Sequence, residues 1–537
     1  MARVVFISLY DRNAYGQRIM CANLKRHGHD CRMIFLKRYV LEPAAVMADV
    51  ADDEYPWMGV NRDGRIFKFA SNSRISQREL ELLRQTIEEI QPHFIGMTVN
   101  TPLRSQAKLV TSFLKEHFEI PVVWGGYDPT VNPEACLAHA DYCCIGEGDQ
   151  TVLDMATCAD DGITFDSIPN LAYRRGGETF TNPKYPAERV LDRYPWRDNE
   201  PTGKYLIEND AIEPNHAGLN DKGDRTYITM SARGCPYKCT YCCEATLKDL
   251  YTGEKFLRRR SAEDVVAELA DARARFLIER VYFEDEIFAM DLKWLQSFSA
   301  LYREKVRLPF IAYIYPTRNI ESILTLLKDA GLEYCCLALE SGSERINREV
   351  YQRVYDRVLF LQTAELLDQL DIKFYTDIIT YSPYEEEEDL RQTLDVLLDM
   401  NDRLCRPFDI WINKLFVLPG TKLARKMVEE NVHIAPGDRD QLFNLYARLY
   451  WIASFGTHTR PLVERLLTMT CFRKAPWLLD MEVVRGWILR HNPADAHTAA
   501  PKDFMPRDRA AQNAAAIAFA EDHDMVALPA LSPVGCH

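Results

Sequence analysis

Arg233-Gly234-Cys235-Pro236-Tyr237-Lys238-Cys239-Thr240-Tyr241-Cys242 gathers three cysteines into one short stretch, and it decides how the rest of the chain reads. Three thiolates at this spacing can fold onto three irons of a cubic iron–sulfur cluster and leave the fourth iron open to another ligand. An open iron implies reaction chemistry. Clustered cysteines also build zinc sites and disulfide frameworks, and these readings stay beside the first. Zinc favours four closed ligands in paired Cys-x-x-Cys or Cys/His modules, and no second such pair lies nearby. Cys243 adjoins Cys242 but is poorly placed to reach the same metal.

Downstream of the cysteines the pattern alternates. Ser261-Ala262-Glu263-Asp264 reads as a capping box opening a helix whose apolar stripe is Val265, Leu269, Ala272 and Phe276. The strand Arg280-Val281-Tyr282-Phe283 follows and ends at Glu284-Asp285-Glu286. After another strand and helix comes Cys335-Cys336-Leu337-Ala338-Leu339-Glu340-Ser341-Gly342-Ser343-Glu344-Arg345-Ile346. Strand and helix repeat from about 226 to 425, which predicts a parallel sheet with right-handed crossovers, closed part-way into a barrel. Ligands of such sheets sit at the carboxyl ends of the strands, where these motifs fall.

The pattern Cys-x-x-x-Cys-x-aromatic-Cys, with Tyr241 as the aromatic, resembles the signature of the radical S-adenosylmethionine (SAM) superfamily. The resemblance implies a 4Fe-4S cluster on Cys235, Cys239 and Cys242, with the amino acid end of SAM on the open iron. An electron from the reduced cluster then splits the sulfonium to give a 5'-deoxyadenosyl radical. It further implies that Tyr241, Glu284, Asp285, Glu340 and Ser341 contact SAM. Glu284 and Asp285 belong to the turn that holds the SAM amino group in relatives. The string around Glu340 and Ser341 is very close to the one facing the ribose and methionyl part in the cobalamin-dependent branch. One landmark departs: relatives end the next apolar strand in Gly-x-Pro-x-Glu, whereas this chain has Ile378-Ile379-Thr380-Tyr381-Ser382-Pro383-Tyr384-Glu385, without the glycine. Phe416-Val417-Leu418-Pro419-Gly420-Thr421 fits the last barrel strand and its turn.

At the amino terminus, Val4-Val5-Phe6-Ile7-Ser8-Leu9 is a continuous apolar run, as in a strand buried on both faces of a parallel sheet. A helix with Ile19 and Leu24 ends at Gly28, and strands follow at Cys31–Leu36, Phe94–Val99 and Pro121–Trp124. This predicts a doubly wound, Rossmann-like domain over 1–160, a fold that alone does not choose its ligand. The loops choose by resemblance. Gly125-Gly126-Tyr127-Asp128-Pro129-Thr130-Val131-Asn132-Pro133-Glu134 and Ile145-Gly146-Glu147-Gly148-Asp149 look like the end of the domain that binds cobalamin in cobalamin-dependent radical SAM proteins. The resemblance implies cobalamin contacts at Asn13, Tyr15, Gly16, Thr98, Gly125, Gly126, Gly146 and Glu147. Adjacent glycines let the backbone approach a large ligand where a Cβ would clash. Related domains that supply a lower cobalt ligand write Asp-x-His-x-x-Gly. Here Asp11-Arg12-Asn13-Ala14-Tyr15-Gly16 has Asn13 in place of the imidazole, which predicts no protein nitrogen on the lower face of the cobalt. The alternative is that Asp11 and Asn13 are only turn residues that cap the next helix.

The 537 residues suit two or three domains, and a net charge of -14 argues against nucleic acid as a main partner. The basic run Arg258-Arg259-Arg260 reads either as a hold for an anionic substrate or SAM carboxylate, or as a solvated helix entry. No apolar stretch reaches about 18 residues, so no membrane span is expected. Met1-Ala2-Arg3 and its apolar run only superficially suggest a signal peptide, because Asp11-Arg12 interrupts early. A reducing cytoplasm is the expected setting, with Cys143-Cys144 and Cys335-Cys336 as buried small hydrophobes. Residues 161–225, rich in Pro, Gly, Asn and Asp, read as a linker, 226–425 as the partial six-stranded α/β barrel, and 426–537 as a helical region closing a substrate chamber. Helical signals there include Leu462, Leu466 and Leu467, then Trp477-Leu478-Leu479 and Val483-Val484. The end beyond about 495 is Ala/Asp/Pro rich.

Taken together, the resemblance implies an enzyme moving a methyl group from methylcobalamin to an unactivated carbon, or phosphorus, of a small molecule. An external electron donor such as flavodoxin or ferredoxin feeds the cluster. Oxidative cyclisation or ring rearrangement with the same cofactors is the alternative. Hydrogen abstraction by a radical needs no protein general base, so none is nominated.

Overall fold

The computed structural model describes residues 1–38, 40–43, 58–60, 66–70, 74–215, 225–288, 290–433, 439–454, 459–476 and 479. The N-terminal half runs β1 (Arg3–Leu9), α1 (Tyr15–Arg26), β2 (Asp30–Leu36), then a small antiparallel sheet of β3 (Val40–Pro43), β4 (Met58–Val60) and β5 (Ile66–Ala70). It continues through α2 (Gln77–Ile90), β6 (Phe94–Thr98), α3 (Arg104–His117), β7 (Val122–Gly125), α4 (Tyr127–Val131), α5 (Pro133–Cys136), β8 (Tyr142–Cys144) and α6 (Asp149–Asp160). Two antiparallel hairpins follow, β9 (Leu171–Arg175) with β10 (Glu178–Thr181), and β11 (Lys204–Glu208) with β12 (Ala211–Pro214).

β1 is buried on both faces. Val5, Ile7 and Leu9 pack with the apolar stripes of α2 and α3, while Val4 and Phe6 pack with those of α1 and α6. Helices on both faces are what a parallel sheet requires. The strands order as β10-β9-β8-β7-β6-β1-β2-β11-β12, parallel from β8 to β11. The stretch 161–225, expected as a linker, therefore supplies both edges of this sheet. The winding reverses between β1 and β6, and that switch point opens a crevice at the carboxyl ends of the strands.

The second sheet is built from β13 (Thr226–Thr229), β14 (Ala232–Arg233), α7 (Cys243–Leu250), β15 (Arg258–Arg259), α8 (Ala262–Arg275), β16 (Arg280–Phe283), α9 (Leu292–Lys305), β17 (Phe310–Ile314) and α10 (Ile320–Ala330). β18 (Leu332–Leu337), α11 (Arg357–Gln369), β19 (Lys373–Thr380), α12 (Glu387–Arg403), β20 (Asp409–Lys414) and α13 (Lys422–Glu429) complete it. Six strands run parallel in the order β13-β16-β17-β18-β19-β20, the open part-barrel expected from the sequence, while β14 and β15 pair separately. Along the strands Val281, Phe283, Phe310, Ala312, Ile314, Cys335 and Leu337 join the core beneath the helices. Alternate residues face the lumen, where the Tyr282 hydroxyl donates to that of Tyr313 at 2.9 Å. Burying Ile323, Leu324 and Leu327 on α10 contributes about 1.5–3 kcal/mol apiece.

α8 starts as expected at Ser261, whose hydroxyl accepts from the Asp264 amide at 3.1 Å. The return bond of the expected capping box comes from elsewhere. The Ser261 amide donates to Asp192 at 2.9 Å, because Asp264 is held by Arg260 and the Trp196 indole. The C-terminal helices α14 (Arg439–Ser454), α15 (Arg460–Thr468) and α16 (Thr470–Lys474) follow, with α14 and α15 packed on α12. Leu462, Leu466 and Leu467 are buried, as is Leu479. Residues 477–478, 483–484 and the segment beyond 495 lie outside the described residues. Among the described residues no helix is long and apolar enough to cross a membrane.

Candidate active site

β14 delivers the chain to Gly234, whose φ of +88° and nearness to the Phe256 carbonyl, 2.5 Å from any added Cβ, admit only glycine. The cysteine loop then closes onto α7. Within it the Cys242 amide donates to the Cys239 carbonyl at 3.1 Å. Thr240 straps the loop down: its amide and hydroxyl donate to the carbonyls of Tyr351 (2.8 Å) and Val350 (2.5 Å), and its own carbonyl accepts from Leu423 (2.9 Å). Tyr237 lies against Tyr315, ring centres 4.4 Å apart, and Tyr241 meets Tyr351 edge-on at 4.9 Å. Cys239 is buried, and Cys235 and Cys242 are half-buried. Burial pushes the Cys235 thiol up to about 12 and raises that of Cys239, while the bond with Cys243 and the amides opening α7 lower that of Cys242. Among the described residues no group of three His, Cys, Asp or Glu side chains is gathered as a single metal ion requires. A cubane instead spreads its thiolates over separate irons.

Carboxylates crowd the strand ends beside this loop, Glu244, Glu284 and Glu340 half-buried and Glu286 at an exposed lip. The Glu284 carboxylate is pushed up to about 7 by loss of solvent and by Asp11, Glu340 to about 7 by loss of solvent, and Glu286 is raised by its crowded surroundings and by Asp285. Glu244, on α7, rises to about 8 through burial and Glu286. Glu340 takes a left-handed φ of +63°, its amide bonded to the Asp377 carbonyl at 2.7 Å. The Arg353 guanidinium stands 3.9 Å from its carboxylate and donates to Tyr241 Oη and the Ala338 carbonyl. Asp285 and Ser341, expected at SAM, have their side chains engaged inside the scaffold. The Asp285 carboxylate accepts from the Ser231 amide (2.8 Å) and hydroxyl (2.5 Å). The Ser341 hydroxyl accepts from the Ser343 amide at 3.2 Å and lies 3.5 Å from Thr393 Oγ1. Where the expected glycine is missing, Tyr381 itself adopts φ +64°. Its hydroxyl donates to Asn444 at 2.6 Å and its ring stacks on Phe443 of α14 at 4.8 Å, so the C-terminal helices hold a conformation usually left to glycine.

At the switch point of the N-terminal sheet lies a largely apolar cavity of about 410 Å³. Tyr15, Gly16, Thr98, Gly125, Gly126, Gly146 and Glu147 all line it. A Cβ on Gly146 (φ +80°) would stand 2.5 Å from Tyr251 Oη, and one on Gly96 would stand 2.7 Å from the Phe6 ring, so the close backbone approach depends on glycine. The opposite wall comes from the barrel: Met230, Leu247, Tyr251, Glu244 and Glu286, together with Arg233 and Gly234 at the start of the cysteine loop. Sequence reading missed Met230, Leu247 and Tyr251, because nothing local marks them. Tyr251 reaches the site only by folding back, where its hydroxyl accepts from the Glu147 amide at 3.1 Å.

Asn13 is not among the lining residues. Asp11 accepts from the amides of Asn13 (2.8 Å) and Ala14 (3.0 Å), as a helix-entry turn does. The Asn13 side chain turns to the barrel, donating to Glu284 at 3.2 Å and accepting from Arg197 at 2.6 Å. The basic run has its guanidinium groups engaged within the protein and is not a solvated helix entry. Arg258 pairs with Glu147 at 2.5 Å, Arg259 lies over Trp294 and donates to Ser231, and Arg260 pairs with Asp264 and Glu268 at 2.6 Å. Arg258, with Arg233 bonded twice to Asp149 (2.8 and 3.1 Å), makes an ionic seam joining the two sheets, while Arg259 and Arg260 brace the barrel.

Three thiols on one strapped loop suit an iron–sulfur cluster, and a glycine-floored apolar crevice at a switch point suits a large ring system. Together they define the class of cobalamin-dependent radical SAM enzymes. The chain matches the model of the B12 binding domain over residues 71–156 and that of the radical SAM superfamily over residues 230–397, and it carries both domains. Those domains imply cobalamin, a 4Fe-4S cluster and SAM. The chain is 24% identical over 271 residues to an uncharacterized methyltransferase of Pyrococcus horikoshii, covering 49% of this chain and 55% of that protein. It is 25% identical over 299 residues to the cytidylyl-2-hydroxyethylphosphonate methyltransferase of Streptomyces wedmorensis, covering 50% and 54%. It thus spans about half the length of these relatives. The structure of the radical SAM methyltransferase TsrM from Kitasatospora setae, with cobalamin and a [4Fe-4S] cluster bound, shares the fold. Its TM-score is 0.56 at 16% identity, over 81% of this chain and 77% of that one.

Proposed function

We propose that this protein is a cobalamin-dependent radical SAM methyltransferase acting on an unactivated carbon, or phosphorus, of a small molecule. The observation that carries the reading is one chamber with two walls: the glycine floor of the N-terminal sheet faces Arg233, Gly234, Glu244 and Glu286 beside the cysteine loop. The methyltransferase names of the relatives support it. Cys235, Cys239 and Cys242 would hold the cluster, Tyr241, Glu284 and Glu340 would face SAM, with Asp285 and Ser341 bracing its turns, and the seven cavity residues would hold the corrin. When bound, these groups supply a hydrogen-abstracting radical and a transferable methyl group.

The chain's own work is placement and exclusion of water. Apolar side chains dry the chamber, and the half-buried carboxylates Glu284 and Glu340 would offer a cationic ligand a counter-charge that solvent screens only in part. Asn13, turned to Glu284 and Arg197, would offer the corrin no ligating nitrogen. An external one-electron donor of the flavodoxin or ferredoxin kind supplies the reducing equivalent. Anaerobic incubation with methyl-labelled SAM and a reductant tests the reading. S-adenosylhomocysteine and 5'-deoxyadenosine forming together, with label in a small-molecule product, is the expected result. 5'-Deoxyadenosine alone would contradict it and favour cyclisation or rearrangement.

A further inference from the structure

Asn13 belongs by its place in the chain to the corrin loop, and Glu284 to the SAM-binding turn, yet the two side chains are bonded to each other at 3.2 Å. A third residue holds the pair. Arg197, 5% exposed and arising between the two sheets, donates to Asn13 Oδ1 at 2.6 Å and to the Ile228 carbonyl of β13 at 2.5 Å. Its Nε is fixed by Asn199 at 2.8 Å, and its guanidinium lies 5.3 Å from the Tyr227 ring centre and 5.9 Å from that of Tyr15. One nitrogen, Nη1, therefore ties the first loop of the N-terminal sheet to the first strand of the barrel, while Nε on Asn199 and Nη2 on the Asn13 carbonyl at 3.5 Å fix the plane that aims it, an orientation an ammonium lacks. Tyr15 and Gly16, which open α1 directly after this loop, line the cavity.

We propose that Arg197 is a positioning residue that, through Asn13, couples occupancy of the corrin cavity to the affinity of the Glu284 turn for SAM. The inference rests on the proposed function above. A ring system seated against Tyr15 and Gly16 holds the loop, and the loop holds the Asn13 amide on Glu284. That bond favours the ionised carboxylate, the form a cationic amino group needs. Linkage makes the effect reciprocal: each ligand tightens the other by the same factor.

Equilibrium binding tests this without turnover. Protein with its cluster oxidised is titrated with SAM, with and without hydroxocobalamin, and with hydroxocobalamin, with and without SAM. In the native protein each ligand is expected to tighten the other by about fivefold or more. Asn13→Ala and Arg197→Lys are expected to bind both ligands with the factor reduced below about twofold. Asn13→Ala keeps the reading available should the buried Arg197→Lys fail to fold. Independent binding in the native protein, or full coupling in Asn13→Ala, would overturn the inference and leave the proposed function standing. A native protein that takes up no corrin, or no SAM, would bring down both.

Discussion

The crevice of the N-terminal sheet and the mouth of the barrel adjoin at Gly234, Glu244 and Glu286 but are built by opposite means. The crevice is made by subtraction: Gly96, Gly126 and Gly146 keep Cβ atoms away so that backbone itself forms the wall. The barrel mouth is made by confinement. Glu340 and Tyr381 sit in left-handed backbone, and the half-buried carboxylates Glu244, Glu284 and Glu340 crowd with Glu286 at the lip, all held above their ordinary range. A large preformed ring needs room, whereas a small charged ligand and a cluster need fixed polar groups in a dry place. The seam between them, Arg233 with Asp149 and Arg258 with Glu147, lets each be shaped separately and still share a space.

That contrast can be broken at either end. Cys235→Ala should show the largest effect, reducing bound iron and sulfide and taking reductive SAM cleavage to background while corrin uptake is kept. Gly146→Val should do the reverse. Its left-handed backbone costs about 1–3 kcal/mol with a side chain, and the Cβ meets Tyr251, so corrin affinity should fall about tenfold or more while iron content holds. Loss of both cofactors in either variant would show that the two sites are not built separately.

Arg233→Ala probes the seam. It leaves buried Asp149 without its guanidinium partner, and breaking such a pair costs about 3–5 kcal/mol, to be read from the urea midpoint of the cofactor-free protein. The smallest effect belongs to Asp377, on the lumen side of β19, where burial pushes the carboxyl up to about 6. The unfolded value is about 3.9, so the folded chain binds that proton more tightly, and stability is lost as pH rises from about 4 through 6. The loss is at most about 3 kcal/mol. Asp377→Asn should match the native protein near pH 4 and exceed it at pH 7, again by urea unfolding. An unchanged difference across that range would remove the claim that this carboxyl is held under strain of burial.

Subtraction and confinement also differ in how far they can be read from sequence. Glycines and closely spaced cysteines are local signals, so Gly125, Gly126, Gly146 and the cysteine loop were legible, and so was the alternation behind both sheets. Partners were not. A run such as Arg258-Arg259-Arg260 reads as an anion hold or a solvated helix entry because its counter-charges are invisible locally: Glu147 comes from the N-terminal sheet, and Asp264 and Glu268 from one face of α8. Asn13 was legible as a loop position but not as a ligand of Glu284, since that contact spans 271 residues. Composition hid the edges of the first sheet: residues 161–225 are rich in turn formers, yet hairpins as short as Leu171–Thr181 need few apolar residues to add onto an existing sheet edge.

The most direct test of the central claim, one chain with two different cofactor sites on a common chamber, is the cofactor content of a single sample. Protein reconstituted anaerobically with iron, sulfide and hydroxocobalamin, then freed of excess reagent, should hold about four irons and one corrin per chain. Iron without corrin, corrin without iron, or zinc in place of the cluster would contradict the account.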